Sequence, residues 1–392
     1  MSPARARSPS RRRTLLALVA SLVGLAAPSP APAGPAASRP EHVVLVILGG
    51  GVRTKELLGR PDLLPTVRAI GAAGFASEGW AAGGADPTEA TKAILCGRAF
   101  PVTTPGRMQP AFPTLLEYVR AGLGLSPEAV WFASYADGEA LALGASDHAD
   151  FGGRVAPRLA SGDGPFAEPL RALFRLYGRP NPTKERTWAQ LARLRLVARE
   201  EAARRMGTPA AADDAAESLR VERALLEEVD RRATDIGGPA GLDVRAMRAG
   251  LGVLRLFRPT LLVIRLGQAD VAQKSLTDYW EVLKQADAEL ARLRAEIASD
   301  PALRGTTTLL VTTDLGRDVE QNAAGGYGRG DGSKEQTTSA LVGEGPGLRK
   351  GASPRSPRDA RDLCPTIGRL LGVPTPFAEG VVREELLTPR GN

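Results

Sequence analysis

The sequence predicts an α/β fold of three layers around a mostly parallel central sheet. Residues 43–48 and 261–266 are continuous apolar runs, which is typical of strands buried on both faces of a sheet. Residues 306–313 form a third run, rich in β-branched residues, that ends at Asp314. Helical patterns alternate with these strands, and such alternation indicates parallel pairing through right-handed crossovers.

The N-terminal 33 residues have the composition of a signal peptide. Residues 1–13 carry five Arg and no acid, residues 14–27 are apolar, and residues 31–33 offer a small-x-small cleavage site. The apolar stretch is shorter than the roughly 20 residues that span a bilayer, so we expect no permanent membrane span in the mature chain. Export to the periplasm or the outside follows, and the arginine pair at 12 and 13 loosely fits a twin-arginine route.

The charge of the chain gives little support to nucleic-acid binding. Five of the seven net positive charges belong to the leader, which leaves about +2 on the mature chain. No later basic tract has interleaved aromatic residues, so we expect no nucleic-acid partner. Cys96 and Cys364 both lie in apolar contexts, where a disulfide and two buried free thiols are both open.

The mature chain divides into four segments. A linker rich in Ala, Pro, Gly and Ser spans 34–41, and the first part of the α/β domain follows at 42–160. Residues 161–256 interrupt the alternation with helical stretches rich in Arg, Ala and Glu, which we interpret as an insertion or cap with a solvated face. The second part of the α/β domain is predicted at 257–385.

The remaining elements follow from periodicity and from their end signals. The long pattern at 277–297 places its apolar residues on one helical stripe. Glycines close several of the helices, and proline lies in the first turn of one. Further helices are predicted at 64–73, 90–96, 112–121 and from Asp362, and further strands at 75–78, 130–135 and 338–342.

Two positions are the first candidates for chemistry. Asp314 follows a strand, and in open α/β sheets ligands bind at the carboxyl ends of the strands. The alternative is a turn aspartate that caps the next segment. Thr88 lies in a loop that leads into the helix at 90–96, and the backbone N–H groups of a helix N-terminus favour anions.

The order of these motifs resembles the alkaline phosphatase superfamily, which includes phosphatases, sulfatases, phosphodiesterases and phosphoglycerate mutases. The resemblance covers most of the mature chain outside the insertion and implies a three-layer sandwich of the alkaline phosphatase type. The segments that carry it are the first strand, the threonine loop before Cys96-Gly97-Arg98, the strand ends near Asp270 and Asp314, residues 345–347 and residues 362–367.

The resemblance also implies two divalent metals, commonly zinc, bridged by a Thr, Ser or modified Cys nucleophile at the carboxyl ends of the strands. Thr88 matches the nucleophile position, and Thr91 is a poorer fit. Asp270 and Asp314 match ligand positions. His42 and His148, the only histidines, match none. The positions where a ligand is lost, or that adjoin one, are Gly49, Gln273, Lys274, Leu315 and 326–329.

Two aspartates and a hydroxyl without imidazoles cannot build the two-zinc site that the resemblance implies. We therefore expect no bound cofactor; if one is bound, it should be a divalent cation such as zinc, magnesium, calcium or manganese. Lys274 would place a positive charge where the metal should be. We expect it to form a salt bridge with Asp270 or Asp314.

The sequence thus favours an exported pseudoenzyme, a binding or scaffolding protein whose ligand or protein partner is unknown. The alternative is an active metal-dependent hydrolase of phosphate or sulfate esters, with one hard cation on Asp270, Asp314 and either Asp318 or Glu320. A third reading is an assembly role of the insertion. A sulfatase is disfavoured, because no Cys-x-Pro-x-Arg motif occurs at the nucleophile loop.

Overall fold

A computed structural model describes residues 39–99, 101, 108–161 and 238–389. The predicted signal peptide, most of the linker and residues 162–237 of the predicted insertion lie outside these ranges. The remainder of the predicted insertion contains a helix, Gly241–Phe257, that packs in the core of the α/β domain.

The centre of the molecule is an eight-stranded sheet with the order β4-β3-β5-β1-β6-β7-β2-β8. All neighbouring strands pair in parallel except at β7, which is antiparallel to both β6 and β2. The predicted α/β class with a mostly parallel sheet is therefore confirmed. The strands are β1 His42–Leu48, β2 Phe75–Ala81, β3 Val130–Ser134, β4 Arg158–Ser161, β5 Leu261–Leu266, β6 Thr307–Thr313, β7 Thr338–Glu344 and β8 Arg358–Asp359.

Helices cover both faces of the sheet. Helices α1, α2, α6 and α7 share one core with Val44, Val46 and Leu48 of β1, and α3, α4, α5 and α8 share the other with Val43, Leu45 and Ile47. This alternation explains why β1 is apolar at every position. The helices are α1 Thr54–Gly59, α2 Pro65–Ala73, α3 Pro87–Cys96, α4 Leu115–Gly122, α5 Asp137–Leu143, α6 Gly241–Phe257, α7 Leu276–Ser299 and α8 Leu363–Leu371.

The register of the three central strands aligns the residues that follow them. Leu48 at the end of β1 pairs with Leu266 of β5 and with Thr313 of β6. Gly49 and Asp314 therefore come side by side just beyond the sheet, as the strand pattern predicts. This edge holds the candidate site.

The sequence left open whether Cys96 and Cys364 form a disulfide or remain free thiols. Cys96 and Cys364 are both buried and free. Burial raises the pKa of both thiols, which keeps them protonated. They pack as small apolar side chains in the core beneath α3 and α8.

Among the described residues, none of the helices is both long and apolar enough to cross a membrane.

A buried carboxylate joins the two helices that flank β6 on one face. Asp287 of α7 is almost completely buried and accepts N–H bonds from Thr66, at 3.0 and 3.1 Å, and from Val67, at 3.0 Å. These are first-turn amides of α2, which lack partners within their own helix. Leu64, the N-cap residue of α2, supplies no side-chain bond. Asp287 thus caps α2 from a distant part of the chain.

We predict that Asp287→Ala lowers the free energy of unfolding by about 1 to 3 kcal/mol, because it leaves amides of α2 without an acceptor. Urea denaturation followed by circular dichroism measures the change. Lys284→Ala, an exposed substitution one turn earlier in α7, is the matched control and should change stability little. Equal effects of the two substitutions would contradict the capping role.

Candidate functional site

Asp314 lies at the end of β6 with its carboxylate completely buried. Three backbone N–H groups donate to it, from Gly50 at 2.9 Å, Gly51 at 3.2 Å and Leu315 at 2.8 Å. Burial raises the pKa of Asp314, and the Arg265 charge and these N–H groups oppose that shift. The two carboxylate oxygens of Asp314 therefore already accept hydrogen bonds from the protein backbone.

A buried guanidinium compensates this carboxylate. Arg265 is the penultimate residue of β5, and its Nη2 lies 3.8 Å from Oδ2 of Asp314. Its Nη1 lies 2.9 Å from Oε2 of Glu139 in α5, and its Nε donates to Oγ1 of Thr91 in α3 at 3.3 Å. Arg265 thereby connects three elements that surround the end of the sheet. Only its place in an otherwise apolar strand could have marked it in the sequence, and sequence reasoning missed it.

The space beside Asp314 is closed at the first predicted ligand position. A Cβ added at Gly49 would overlap the carbonyl oxygen of Leu266 and would lie 3.1 Å from both Nε of Arg265 and Oδ2 of Asp314. A contact with a backbone oxygen cannot be relieved by rotating a side chain. Gly49 therefore leaves room for the Arg265 guanidinium, and a carboxylate ligand does not fit there with the backbone in this position.

A second buried guanidinium holds the adjoining loops. Arg317 is completely buried and donates to the carbonyl oxygens of Gly50, Gly51, Ala269 and Tyr327, with distances of 2.8 Å to Gly51, 3.1 Å to Ala269 and 2.9 Å to Tyr327. Burial lowers the pKa of Arg317, although arginine stays charged in proteins. Sequence reasoning missed this residue as well, because its partners lie far away along the chain.

Asp270, the second predicted ligand position, pairs with two arginines. Its Oδ1 lies 3.1 Å from Nη2 of Arg317 and 2.9 Å from Nη2 of Arg329. Gln273 donates to the same oxygen at 2.8 Å. The side chain of Asp270 is half exposed, so its pairs are worth less than buried ones.

The predicted salt bridge of Lys274 is wrong. Within the described ranges, no ion pair joins Lys274 to Asp270 or to Asp314. Lys274 directly follows the short 3₁₀ helix Gln268–Gln273, and its side chain is exposed. Arginines from other elements pair with the two aspartates instead. Arg265 pairs with Asp314, and Arg317 and Arg329 pair with Asp270.

Thr88 lies at the second position of α3, because this helix begins at Pro87, three residues before the predicted start. Its Oγ1 is 3.5 Å from Oε1 of Glu139. The carboxylate of Asp86 accepts the N–H groups of Thr88, at 2.9 Å, and Glu89, at 3.1 Å. The helix N-terminus that favoured an anion in the sequence thus already holds one.

The residues at this sheet edge do not fit a bound metal. Three N–H donors and Arg265 occupy the carboxylate of Asp314, and Arg317 and Arg329 pair with Oδ1 of the half-exposed Asp270. In the described part of the chain, no three His, Cys, Asp or Glu residues gather as a metal would require. Asp318, one of the two residues offered as the third ligand in the hard-cation alternative, accepts the N–H groups of residues 330 and 331. The donors that a divalent cation would need are occupied by the chain's own groups.

Comparison with solved structures identifies the fold. A sulfatase described as putative from Bacteroides thetaiotaomicron superposes with a TM-score of 0.54 at 11% identity, over 89% of this chain and 75% of that one. The alkaline phosphatase PafA gives 0.52 at 10% identity, over 90% of this chain and 100% of that one. A 2-O GAG sulfatase gives 0.52 at 11% identity, over 90% and 76%.

No family model and no curated protein matches the sequence. The described chain nevertheless has the fold of the alkaline phosphatase and sulfatase superfamily, as the motif order predicted. At these identities the similarity concerns the fold alone.

We predict that Gly49→Ala destabilises the protein by about 1 to 3 kcal/mol, because the added methyl group overlaps the Leu266 carbonyl oxygen. Gly59→Ala is the matched control, since a Cβ there meets nothing within 4 Å. Thermal and urea unfolding of both variants measure the difference. An unchanged stability of Gly49→Ala would show that the site is looser than its geometry indicates.

The pH dependence of stability should reflect Asp243 of α6, which is buried and accepts N–H bonds from Gly267 at 2.8 Å and Gln268 at 3.0 Å. Burial raises its pKa from 3.8 to about 7, against the effects of these N–H groups and Arg265. Between these values the folded protein holds a proton that the unfolded chain has lost. The contribution of Asp243 to the free energy of unfolding therefore falls as pH rises from about 4 to 7.

Asp243→Asn should flatten this decline, even though the amide cannot accept both N–H bonds and lowers stability at every pH. Urea denaturation at pH 5, 6 and 7 measures the slope for the wild type and the variant. Identical slopes would assign the pH dependence to other groups.

Proposed function

We propose that this protein is an exported pseudoenzyme of the alkaline phosphatase fold, which acts as a binding or scaffolding protein without hydrolase chemistry. The observation that carries the proposal is that Arg265 and Arg317 neutralise the two candidate ligand carboxylates. Export rests on the leader composition of residues 1–33.

Electrostatics supports the loss of metal binding. A divalent cation on Asp314 would have to displace backbone N–H donors and lie beside the Arg265 guanidinium, which is itself buried. Repulsion between cations is strong where water does not screen it. Removing Arg265 would leave a buried uncompensated carboxylate, so the present pairing is stable against exchange.

The surroundings of Thr88 support the loss of nucleophilic catalysis. A threonine hydroxyl needs a metal or a strong base to become reactive at neutral pH. The carboxylate of its neighbour Glu139 is already engaged in an ion pair with Arg265. The Glu139 carboxylate beside the hydroxyl and the Asp86 carboxylate on the Thr88 N–H group also disfavour an approaching phosphate or sulfate ester.

The test uses the mature chain after removal of the leader. We predict that metal analysis after dialysis against zinc, manganese, magnesium and calcium finds far less than one bound ion per chain. Aryl phosphate, phosphodiester and sulfate substrates should be hydrolysed at the same background rate by the wild type and by Thr88→Ala. Thr306→Ala, at the opposite end of β6, is the control for preparation and background.

Two results would overturn the proposal. One is a stoichiometric divalent ion that is lost in Asp314→Asn. The other is hydrolysis that disappears in Thr88→Ala and persists in Thr306→Ala, which would establish the alternative of an active hydrolase with a rearranged site.

A further inference from the structure

A groove of about 710 Å³ lies between helices α2 and α7, at the end of β6 opposite Asp314. Its walls carry mainly alanines, and its floor is the start of β6. The turn after β7 forms part of its rim. The residues that define it are Ala69 and Ala73 of α2, Ala291, Ala295 and Ala298 of α7, and Thr307 and Leu309 of β6.

The groove follows from the small side chains of the two helices. Asp287 binds the first turn of α2 and holds the helices together there. Beyond this contact both helices present methyl groups, which are too short to fill the space above Leu309. The volume is within the range of pockets that bind small molecules.

One buried polar group in the floor has no partner. Thr307 is only 5% exposed, and its Oγ1 makes no hydrogen bond. Because side chains alternate along a strand, Thr307 faces the same side as Leu309, towards α2 and α7. The next residue, Thr308, faces the other side, and its hydroxyl donates to the carbonyl oxygen of Pro346 at 2.6 Å. The Oγ1 of Thr307 is itself buried, so an acceptor bound in the groove would reach it after rotation of the Thr307 side chain.

The charge at the groove favours an anionic head group. Arg294 is neutralised by Glu344 through two bonds of 2.6 and 2.8 Å. Arg304 lines the groove, is exposed, and forms no ion pair with any residue in the described ranges. Among the described charged residues that line the groove, Arg304 is therefore the one uncompensated cation.

We propose that this groove binds a small anionic amphiphile, an acyl chain with a carboxylate head. The tail lies on the alanine walls and Leu309, and the head accepts from Arg304 and from the Thr307 hydroxyl. The groove is separated from Asp314 by the length of β6, on the order of 20 Å at about 3.3 Å per residue. The proposal therefore does not rest on the proposed function.

Isothermal titration calorimetry with dodecanoate, below its critical micelle concentration, tests the proposal on the full mature chain. We expect saturable binding of one dodecanoate per chain. Dodecyltrimethylammonium, which has the same tail and a cationic head, should bind roughly two- to fivefold more weakly, as should dodecanoate to Arg304→Gln. Absence of dodecanoate binding, or equal binding of the two probes, would overturn the proposal.

Adjacent alanines of α2 supply a matched pair of variants. Ala73→Leu fills the groove and should abolish dodecanoate binding, whereas Ala72→Leu, exposed outside the groove, should leave it unchanged. Circular dichroism establishes that both variants are folded. If both substitutions reduce binding equally, the site lies elsewhere. If the wild type is a dimer by light scattering and Ala73→Leu is a monomer, the occupant is a second copy of the chain and the amphiphile proposal is wrong.

Discussion

The structure depends on the compensation of one buried charge. Asp314 is completely buried at the end of the central strand pair, and an isolated carboxylate in that environment would cost several kcal/mol. Backbone N–H groups from the loop after β1 and the guanidinium of Arg265 offset part of that cost. The three central strands β1, β5 and β6 each contribute to this contact, so their alignment and the charge compensation require each other.

Arg317 is a second buried guanidinium that is bonded to groups of the chain, here to the loops that follow β1, β5 and β6. Four backbone carbonyl groups that follow β1, β5 and β6 accept hydrogen bonds from its one planar guanidinium. The space around Asp314 at this edge of the sheet is therefore filled by polar groups of the chain itself. A ligand could reach Asp314 only by breaking contacts that hold these loops in place.

Much of the fold could be predicted from the sequence, because it is encoded locally. Continuous apolar runs marked β1, β5 and β6, and the position of Asp314 followed from the end of its run. Short elements such as α1, α5, β4 and β8 carry too few residues for a periodic signal, and they were not predicted. The start of α3 was missed because Asp86 caps it from a segment interpreted as a loop. The arginines of the site were missed for another reason: Arg317 and its partner Gly51 are 266 residues apart, and no local pattern reports such a contact.

The identity of the compensating group also affects how the protein reaches its folded state. A site that needs a metal remains incomplete until the ion arrives, and its stability then varies with the free concentration of that ion. The guanidinium of Arg265, by contrast, is part of β5 itself. When β5 and β6 align on either side of β1, Arg265 reaches Asp314 in the same event. The pairing of Arg265 with Asp314 is therefore intramolecular, and this contact itself needs no ion from solution.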